Sequence, residues 1–185
     1  MLNHFQRVTE AFVRHVGQLR RLPQSVIDAA GGRVTTFGSF RLGVYGPGSD
    51  IDTLVIAPKH VSRDDFFEYF PKFLEEMSPP GAIEEMTPVR ADVFVPIIKI
   101  EYSGVSIDLI FVRLALQSVT ADANLRDNNI LRGLDEVDLR CINGTRVTDE
   151  ILNLVPQTKT FRLALRAVKL WAQRMCIPSR VSATC

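Results

Sequence analysis

Residues 37–52 read Phe37-Gly38-Ser39-Phe40-Arg41-Leu42-Gly43-Val44-Tyr45-Gly46-Pro47-Gly48-Ser49-Asp50-Ile51-Asp52, a glycine-rich loop that ends in two aspartates. Residues two positions apart in an extended strand point to the same face, so Asp50 and Asp52 project side by side. Two carboxylates about 4 Å apart repel each other by roughly 4 kcal/mol at an effective dielectric of 20, unless a cation compensates them. The pair indicates a divalent metal site, although a D-x-D pair alone also fits a solvated strand end.

A third aspartate, Asp108, interrupts the apolar run Val105-Ser106-Ile107-Asp108-Leu109-Ile110-Phe111. Such a run is typical of a strand that is buried on both faces, where an unpaired charge is costly. A metal ion shared with Asp50 and Asp52 would supply its partner, and oxygen ligands favour Mg²⁺, with Mn²⁺ as a substitute. We therefore expect the three aspartates to be catalytic residues and metal ligands.

Composition places the chain among ordinary globular proteins. It has 185 residues, of which 46% are hydrophobic and 23% charged, with a net charge of +1, so a nucleic-acid partner needs a local basic patch. Residues 1–20 contain no continuous apolar run, which argues against a signal peptide and predicts no membrane partner. Three cysteines without C-x-x-C spacing predict reduced thiols rather than a zinc site or a disulfide framework.

The hydrophobic pattern predicts an α/β (α+β) fold, a mixed sheet flanked by helices, followed by the start of a helical domain. We expect a catalytic unit at residues 1–143 and a helical segment at 144–185. The expected elements are a helix through Leu19 that Pro23 closes, a short helix capped by Ser25, a strand at 33–37, a short helix at 40–44, a strand at 50–57, a helix begun by Ser62 and Asp65, a hairpin of 93–102 with 105–111, and helices from 145 onward.

The Gly38-Ser39 turn precedes the expected short helix, so its backbone N–H groups are placed to bind an anion such as a phosphate. No Walker A sequence occurs in the chain, and Gly43, Gly46 and Gly48 do not fit G-x-G-x-x-G. A phosphate turn beside three carboxylates is the equipment of two-metal phosphoryl or nucleotidyl transfer.

These residues resemble the nucleotidyltransferase superfamily related to DNA polymerase β, in which a Gly-Ser turn precedes paired aspartates and a distant third one. Longer stretches are similar to the eukaryotic nuclear poly(A) polymerase family, and the resemblance as a whole covers about residues 2–174. They are residues 37–61, 94–100, 142–151 (Ile-Asn-Gly-Thr-Arg-Val-Thr-Asp-Glu-Ile) and 167–174 (Ala-Val-Lys-Leu-Trp-Ala-Gln-Arg).

The resemblance implies a nucleotidyltransferase fold and polyadenylation of RNA 3′ ends in the nucleus, with ATP as substrate and mRNA cleavage and polyadenylation factors as partners. Asp50, Asp52 and Asp108 match the family's metal ligands, the last near the RNA 3′-hydroxyl. The remaining matches are to nucleotide-binding residues, namely Phe37, Gly38, Ser39, Gly46 and Lys169. Without the resemblance, Lys169 would be interpreted as a solvated helix lysine.

The chain departs from the family after Arg174, because residues 175–185 lack the tyrosine, asparagine and Gly-Gly turn that complete the family's ATP pocket. We therefore expect a truncated enzyme with a divergent tail from about residue 175. Two alternatives stay open: another terminal nucleotidyltransferase, such as a uridylyl- or CCA-adding enzyme, and a non-catalytic fragment that binds RNA or protein.

Overall fold

The computed structural model describes residues 1–90 and 94–175. Its strands form one sheet in the order β1-β2-β5-β4-β3, in which β2 and β5 run parallel and the other neighbouring pairs antiparallel. The expected mixed sheet flanked by helices is confirmed. The elements are α1 (Leu2–Leu19), α2 (Gln24–Ala30), β1 (Arg33–Thr36), α3 (Gly38–Leu42), β2 (Ile51–Ala57), α4 (Arg63–Met77), β3 (Ile83–Val89), β4 (Ile97–Tyr102), β5 (Val105–Arg113), a 3₁₀ helix (Asn128–Leu131), α5 (Glu136–Leu154) and α6 (Thr158–Arg174).

The central strands β2 and β5 separate two apolar cores. On one face, α1 and α4 cover odd-numbered residues of both strands, and the ring of Phe66 stacks on that of Phe111 at 4.9 Å between centroids. On the other face, α5 packs over Leu54, Ile56 and Ile110. Side chains alternate along a strand, so the even-numbered Asp52 and Asp108 project on the α5 face.

The helix and hairpin predictions are largely confirmed. The α1 stripe is buried from Phe5 to Val16, whereas Leu19 at the helix end is 51% exposed. Ser62 and Asp65 form the expected capping box of α4. The β4–β5 hairpin turns at Ser103 and Gly104, both with positive φ, as a two-residue hairpin turn requires. The first hairpin strand begins at Ile97, and Val93 lies outside the described residues.

Three elements differ from the sequence-based predictions. The short helix expected at residues 40–44 is α3 at Gly38–Leu42, so Gly38 and Ser39 form its first turn instead of preceding it. Strand β3 was not expected, because its residues include Glu84, Glu85 and Pro88 and resemble a loop. Within the described residues it is an edge strand paired with β4 alone, and an edge position tolerates such residues. Ser25 is not a helix cap, since α2 already begins at Gln24 and Pro23 occupies the cap position without a side-chain bond.

The C-terminal part consists of two helices in the described region. The boundary expected after Asn143 lies inside α5, whose residues Cys141 and Ile142 belong to the second core. Helix α6 leaves Val168 56% and Trp171 58% exposed. None of the helices described at 1–90 and 94–175 has the length and apolar content to cross a membrane. The expected tail lies largely outside the described residues, together with Cys176 and Cys185.

An ion pair between half-buried Arg63 of α4 and buried Asp138 of α5 joins the two helical layers and gives a stability prediction. Asp138, 1% exposed, accepts a hydrogen bond from Arg63 Nη2 at 2.7 Å. Asp138→Ala should lower the free energy of unfolding by about 1.5–3 kcal/mol, because the half-buried guanidinium of Arg63 loses its shortest charge-assisted hydrogen bond and keeps only its contact with Asp135. Glu136→Ala removes the exposed Arg140–Glu136 pair and should cost under about 1 kcal/mol. Urea unfolding measures both; similar costs would contradict the prediction.

Candidate active site

The parallel pairing of β2 with β5 brings the three predicted carboxylates together. Asp52 and Asp108 are direct register partners on neighbouring strands, and Asp50 lies two residues before Asp52, just ahead of the first residue of β2. Neighbouring strands are about 4.8 Å apart, so the two partner side chains stand next to each other on the same face. The sequence could place each aspartate on a strand, but only the sheet order shows that the strands are adjacent.

The carboxylates are electrostatically strained. Burial raises the pKa of Asp52 to about 6, and the neighbouring charges of Asp108 and Asp50 add to the shift. Asp108 is 4% exposed, and burial also raises its pKa, while the nearby charge of Lys99 opposes that shift. Lys99 Nζ lies 3.8 Å from Asp108 Oδ2, and its side chain is mostly exposed, so it compensates the carboxylates only in part.

The donor chemistry of these residues fits a hard divalent cation, since three carboxylates whose charges oppose one another gain most from added positive charge. Their present side-chain arrangement is not a closed ligand set: among residues 1–90 and 94–175, no group of three or more His, Cys, Asp or Glu side chains is placed to hold a metal ion. The backbone brings the ligands together, and the side chains would have to converge on the ion.

The Phe37-Gly38-Ser39 turn lies directly against the aspartates. Phe37 N donates to the backbone carbonyl of Asp52 at 3.0 Å, and Gly38 begins α3 with φ of +61°. A Cβ at residue 38 would lie 2.3 Å from Asp52 Oδ2, so glycine is required both by the backbone conformation and by the close approach. The structure thus brings the predicted phosphate turn and the predicted metal ligands together.

The other two predicted nucleotide-binding residues lie on the loop after α3 and on α6. Gly46 N donates to Ser49 Oγ at 3.2 Å, which closes a local turn ahead of Asp50. Lys169 Nζ donates to the carbonyl of Val44 at 3.3 Å. Two further cations of α6, Arg162 and Arg166, donate to the carbonyls of residues 42 and 43 at 2.8 and 2.6 Å. Lys169 is thereby held at the loop that follows the turn.

Polar residues that the sequence analysis did not single out extend the site across the sheet. Lys99 pairs with Asp108 in register, and Thr87 pairs with Lys99, so a polar row runs from β2 to the edge strand. A cavity of about 180 Å³ opens beside Asp50 and Asp108 over these strands. The alternation of Lys99 and Glu101 with isoleucines along β4 was the available signal. A larger cavity of about 700 Å³ lies elsewhere, between Arg126 and Arg146, and contains none of the three aspartates.

The raised pKa of Asp52 predicts a pH-dependent stability difference in metal-free protein. The pKa of Asp52 is about 6 in the folded protein and ordinarily 3.8. Above pH 6 the ionised carboxylate therefore destabilises the fold in full. The destabilisation decreases as the pH falls through 6 and is absent below 3.8. Asp52→Asn should therefore raise the free energy of unfolding by on the order of 1–2 kcal/mol at pH 7.5, after allowance for solvent screening, with little gain near pH 4.

Urea unfolding in the presence of a chelator measures this difference at several pH values. Asp28→Asn, at an exposed position on α2, controls for the loss of one negative charge. A gain for Asp52→Asn that does not change with pH would contradict the prediction. Added Mg²⁺ or Mn²⁺ should raise the melting temperature of the wild type more than that of Asp52→Asn.

Comparison with known proteins assigns the family. The family model "Poly(A) polymerase nucleotidyltransferase domain" matches residues 1–155. Poly(A) polymerase PAPa of Candida albicans is 54% identical over 177 residues, which are 96% of this chain and 31% of that protein. Poly(A) polymerase pla1 of Schizosaccharomyces pombe is 49% identical over 183 residues, 98% of this chain and 31% of that protein. The chain thus spans about a third of these relatives' length.

A solved structure of a cytoplasmic RNA terminal U-transferase has the same fold. It is 18% identical, with a TM-score of 0.51, and the match covers 96% of this chain and 39% of that one. At this identity the similarity concerns the fold alone. Because the family model matches most of the chain and the two fungal relatives align along nearly all of it, the chain belongs to the poly(A) polymerase nucleotidyltransferase domain family.

Proposed function

We propose that this chain is the catalytic part of a poly(A) polymerase, which transfers AMP from ATP to an RNA 3′-hydroxyl and releases pyrophosphate. The observation that carries the proposal is the register pairing of Asp52 with Asp108 directly beside the Gly38 turn. Membership of the family supports it, as do the relatives named poly(A) polymerase.

In this proposal, Asp50, Asp52 and Asp108 hold Mg²⁺, or Mn²⁺ in its place. When bound, divalent cations supply Lewis-acid activation of the attacking hydroxyl and charge stabilisation of the phosphates. Asp108, the most deeply buried of the three, lies nearest the RNA 3′-hydroxyl. Burial raises the pKa values of Asp52 and Asp108, so both are deprotonated only at a higher pH than ordinary aspartates. Cations should therefore bind most strongly at a pH where both carboxylates are ionised.

The turn and α6 would bind the nucleotide. The backbone N–H and the hydroxyl of Ser39 are assigned to the triphosphate, with Phe37 beside them and Gly46 in the loop that follows. The N–H of Gly38 is bonded to Thr148 Oγ1, so Gly38 contributes by letting the nucleotide approach the backbone closely. Lys169 would exchange its bond to the Val44 carbonyl for one to ATP, a role suited to a compact and mobile cation. That exchange requires α6 to be correctly placed.

The domain division and the cellular setting belong to the same proposal. Because α5 is continuous across residue 143 and packs in the second core, we place the end of the catalytic unit after α5 and the start of the helical domain at α6. The family model ends at residue 155, which agrees with this division. RNA 3′ ends in the nucleus and the mRNA cleavage and polyadenylation factors are the proposed substrate and partners.

A primer-extension assay tests the function. The 185-residue chain should incorporate little AMP by itself. The apolar residues Val168 and Trp171 of α6 are exposed, so little packing holds this helix in place, and Lys169, which α6 carries, would be poorly positioned for ATP. A version extended with the middle and C-terminal domains of a relative should be active with ATP in preference to UTP, CTP or GTP. Asp108→Ala in that version should reduce incorporation to background, and Asp64→Ala, at an exposed site on α4, should not.

Three results would contradict this prediction. Equal rates for the short and the extended chains would show that the catalytic unit is self-sufficient. Activity retained by Asp108→Ala would remove the metal assignment. A preference for UTP, or for CTP together with ATP, would favour the uridylyl- or CCA-adding alternative.

The phosphate turn gives a separate prediction for nucleotide binding. Gly38→Ala places a Cβ 2.3 Å from Asp52 Oδ2, so the turn must shift and Mg-ATP should bind at least about tenfold more weakly. Gly81→Ala is the matched control, because residue 81 also has a left-handed φ, of +76°, but nothing lies within 4 Å of its added Cβ. Isothermal titration calorimetry measures both affinities. Unchanged affinity in Gly38→Ala would mean that the turn is only structural.

A further inference from the structure

The Phe37-Gly38-Ser39 turn is hydrogen-bonded to a threonine of α5. Gly38 N donates a hydrogen bond to Thr148 Oγ1 at 3.0 Å, and the same hydroxyl donates to the carbonyl of Gly144 at 2.8 Å. Its proton is thus committed to the helix, and an oxygen lone pair faces the turn. Thr148 is buried. The bond joins residues 110 positions apart, so no local sequence pattern indicates it.

A glycine on α5, Gly144, lets the neighbouring residue of the turn, Phe37, pack closely against the helix. Gly144 lies in the interior of α5, where glycine costs about 1 kcal/mol relative to alanine. A Cβ there would lie 2.6 Å from the ring of Phe37, so only glycine lets the ring rest on the helix backbone. Phe37 directly precedes Gly38. Two successive residues of the turn are therefore held by two residues of α5 that are one helical turn apart.

The turn needs such an anchor because of its own glycine. Gly38 has φ of +61°, and glycine also populates several other backbone conformations at little cost. Helix α3 has only five residues and does not stabilise itself. On one side Asp52 limits the turn sterically, and on the other Thr148 gives a directional bond. Arg41 Nε also binds Asp149 Oδ1 at 2.6 Å, which fixes α3 to the same helix.

We propose that Thr148 is a positioning residue for nucleotide binding. By accepting the Gly38 N–H, it fixes the peptide plane between residues 37 and 38 and so the direction in which Ser39 faces the triphosphate. A turn that is already ordered loses less conformational entropy when the ligand binds, which strengthens binding. This inference rests on the proposed function of the turn as the triphosphate site.

Three substitutions on α5 test the role. Thr148→Val keeps the shape of the side chain but removes the hydroxyl, and Thr148→Ser keeps the hydroxyl. Thr145→Val is the matched control: Thr145 is also buried on α5, and within the described residues its hydroxyl has no hydrogen-bond partner. Two properties are measured at a temperature well below each melting point: Mg-ATP affinity by calorimetry, and the NMR shifts and hydrogen exchange of the Gly38 and Ser39 amides.

We expect Thr148→Val to shift both amide signals, to speed exchange at Gly38 and to weaken Mg-ATP binding by about tenfold. Thr148→Ser should restore the affinity to within about threefold of the wild type, and Thr145→Val should leave the amide signals and the affinity unchanged. If Thr148→Val lowers only the melting temperature, with amide signals and affinity like those of Thr145→Val, the residue is merely structural and the inference is overturned.

Failure of the proposed function gives a different pattern. If the wild-type chain binds no Mg-ATP, the assignment of the turn as a nucleotide site fails in this chain. The amide measurements then decide the positioning role without a ligand: changes at Gly38 and Ser39 that occur in Thr148→Val and not in Thr145→Val support it, and their absence overturns it.

Discussion

The mutual repulsion of the carboxylates on β2 and β5 is the constraint on which the site depends. The parallel register sets Asp52 beside Asp108 on the α5 face of the sheet, where burial and neighbouring charge raise the pKa of Asp52 to about 6. The sheet tolerates this repulsion because the other residues of β2 and β5 are mostly apolar and contribute to the two cores. The fold thus maintains a concentration of negative charge that the protein's own cations only partly neutralise, as a cation-binding centre requires.

The short helix α3 is fixed at both ends by the C-terminal helices. At its start, Gly38 bonds to Thr148 of α5. At and just after its last residue, the carbonyls of residues 42–44 accept bonds from Arg162, Arg166 and Lys169 of α6. A five-residue helix has too few internal bonds to be stable alone, so its orientation is set by these contacts. The Phe37-Gly38-Ser39 turn and the C-terminal helices are therefore mechanically connected, although they lie far apart in the sequence.

Helix α6 is attached to the catalytic unit mainly by polar contacts. Its basic residues bind backbone carbonyls, while Leu163, Val168 and Trp171 are exposed. An apolar surface of this kind on a helix commonly packs against a further element. The chain spans about a third of its fungal relatives' length. Packing against the exposed face of α6 would determine how firmly Lys169 is held at the Val44 carbonyl.

Sequence patterns were sufficient to single out the three aspartates and the Gly38-Ser39 turn as candidate site residues. They were also sufficient to predict the α1 stripe and the capping box of α4, because all of these features depend on local spacing. The sequence did not determine strand β3, whose pairing with β4 overrides a loop-like composition, or the continuity of α5 across residue 143. Only the tertiary structure placed Lys99 beside Asp108 and Thr148 behind Gly38. These contacts depend on sheet order and on helix packing, which join residues distant in sequence and leave no periodic pattern in the chain.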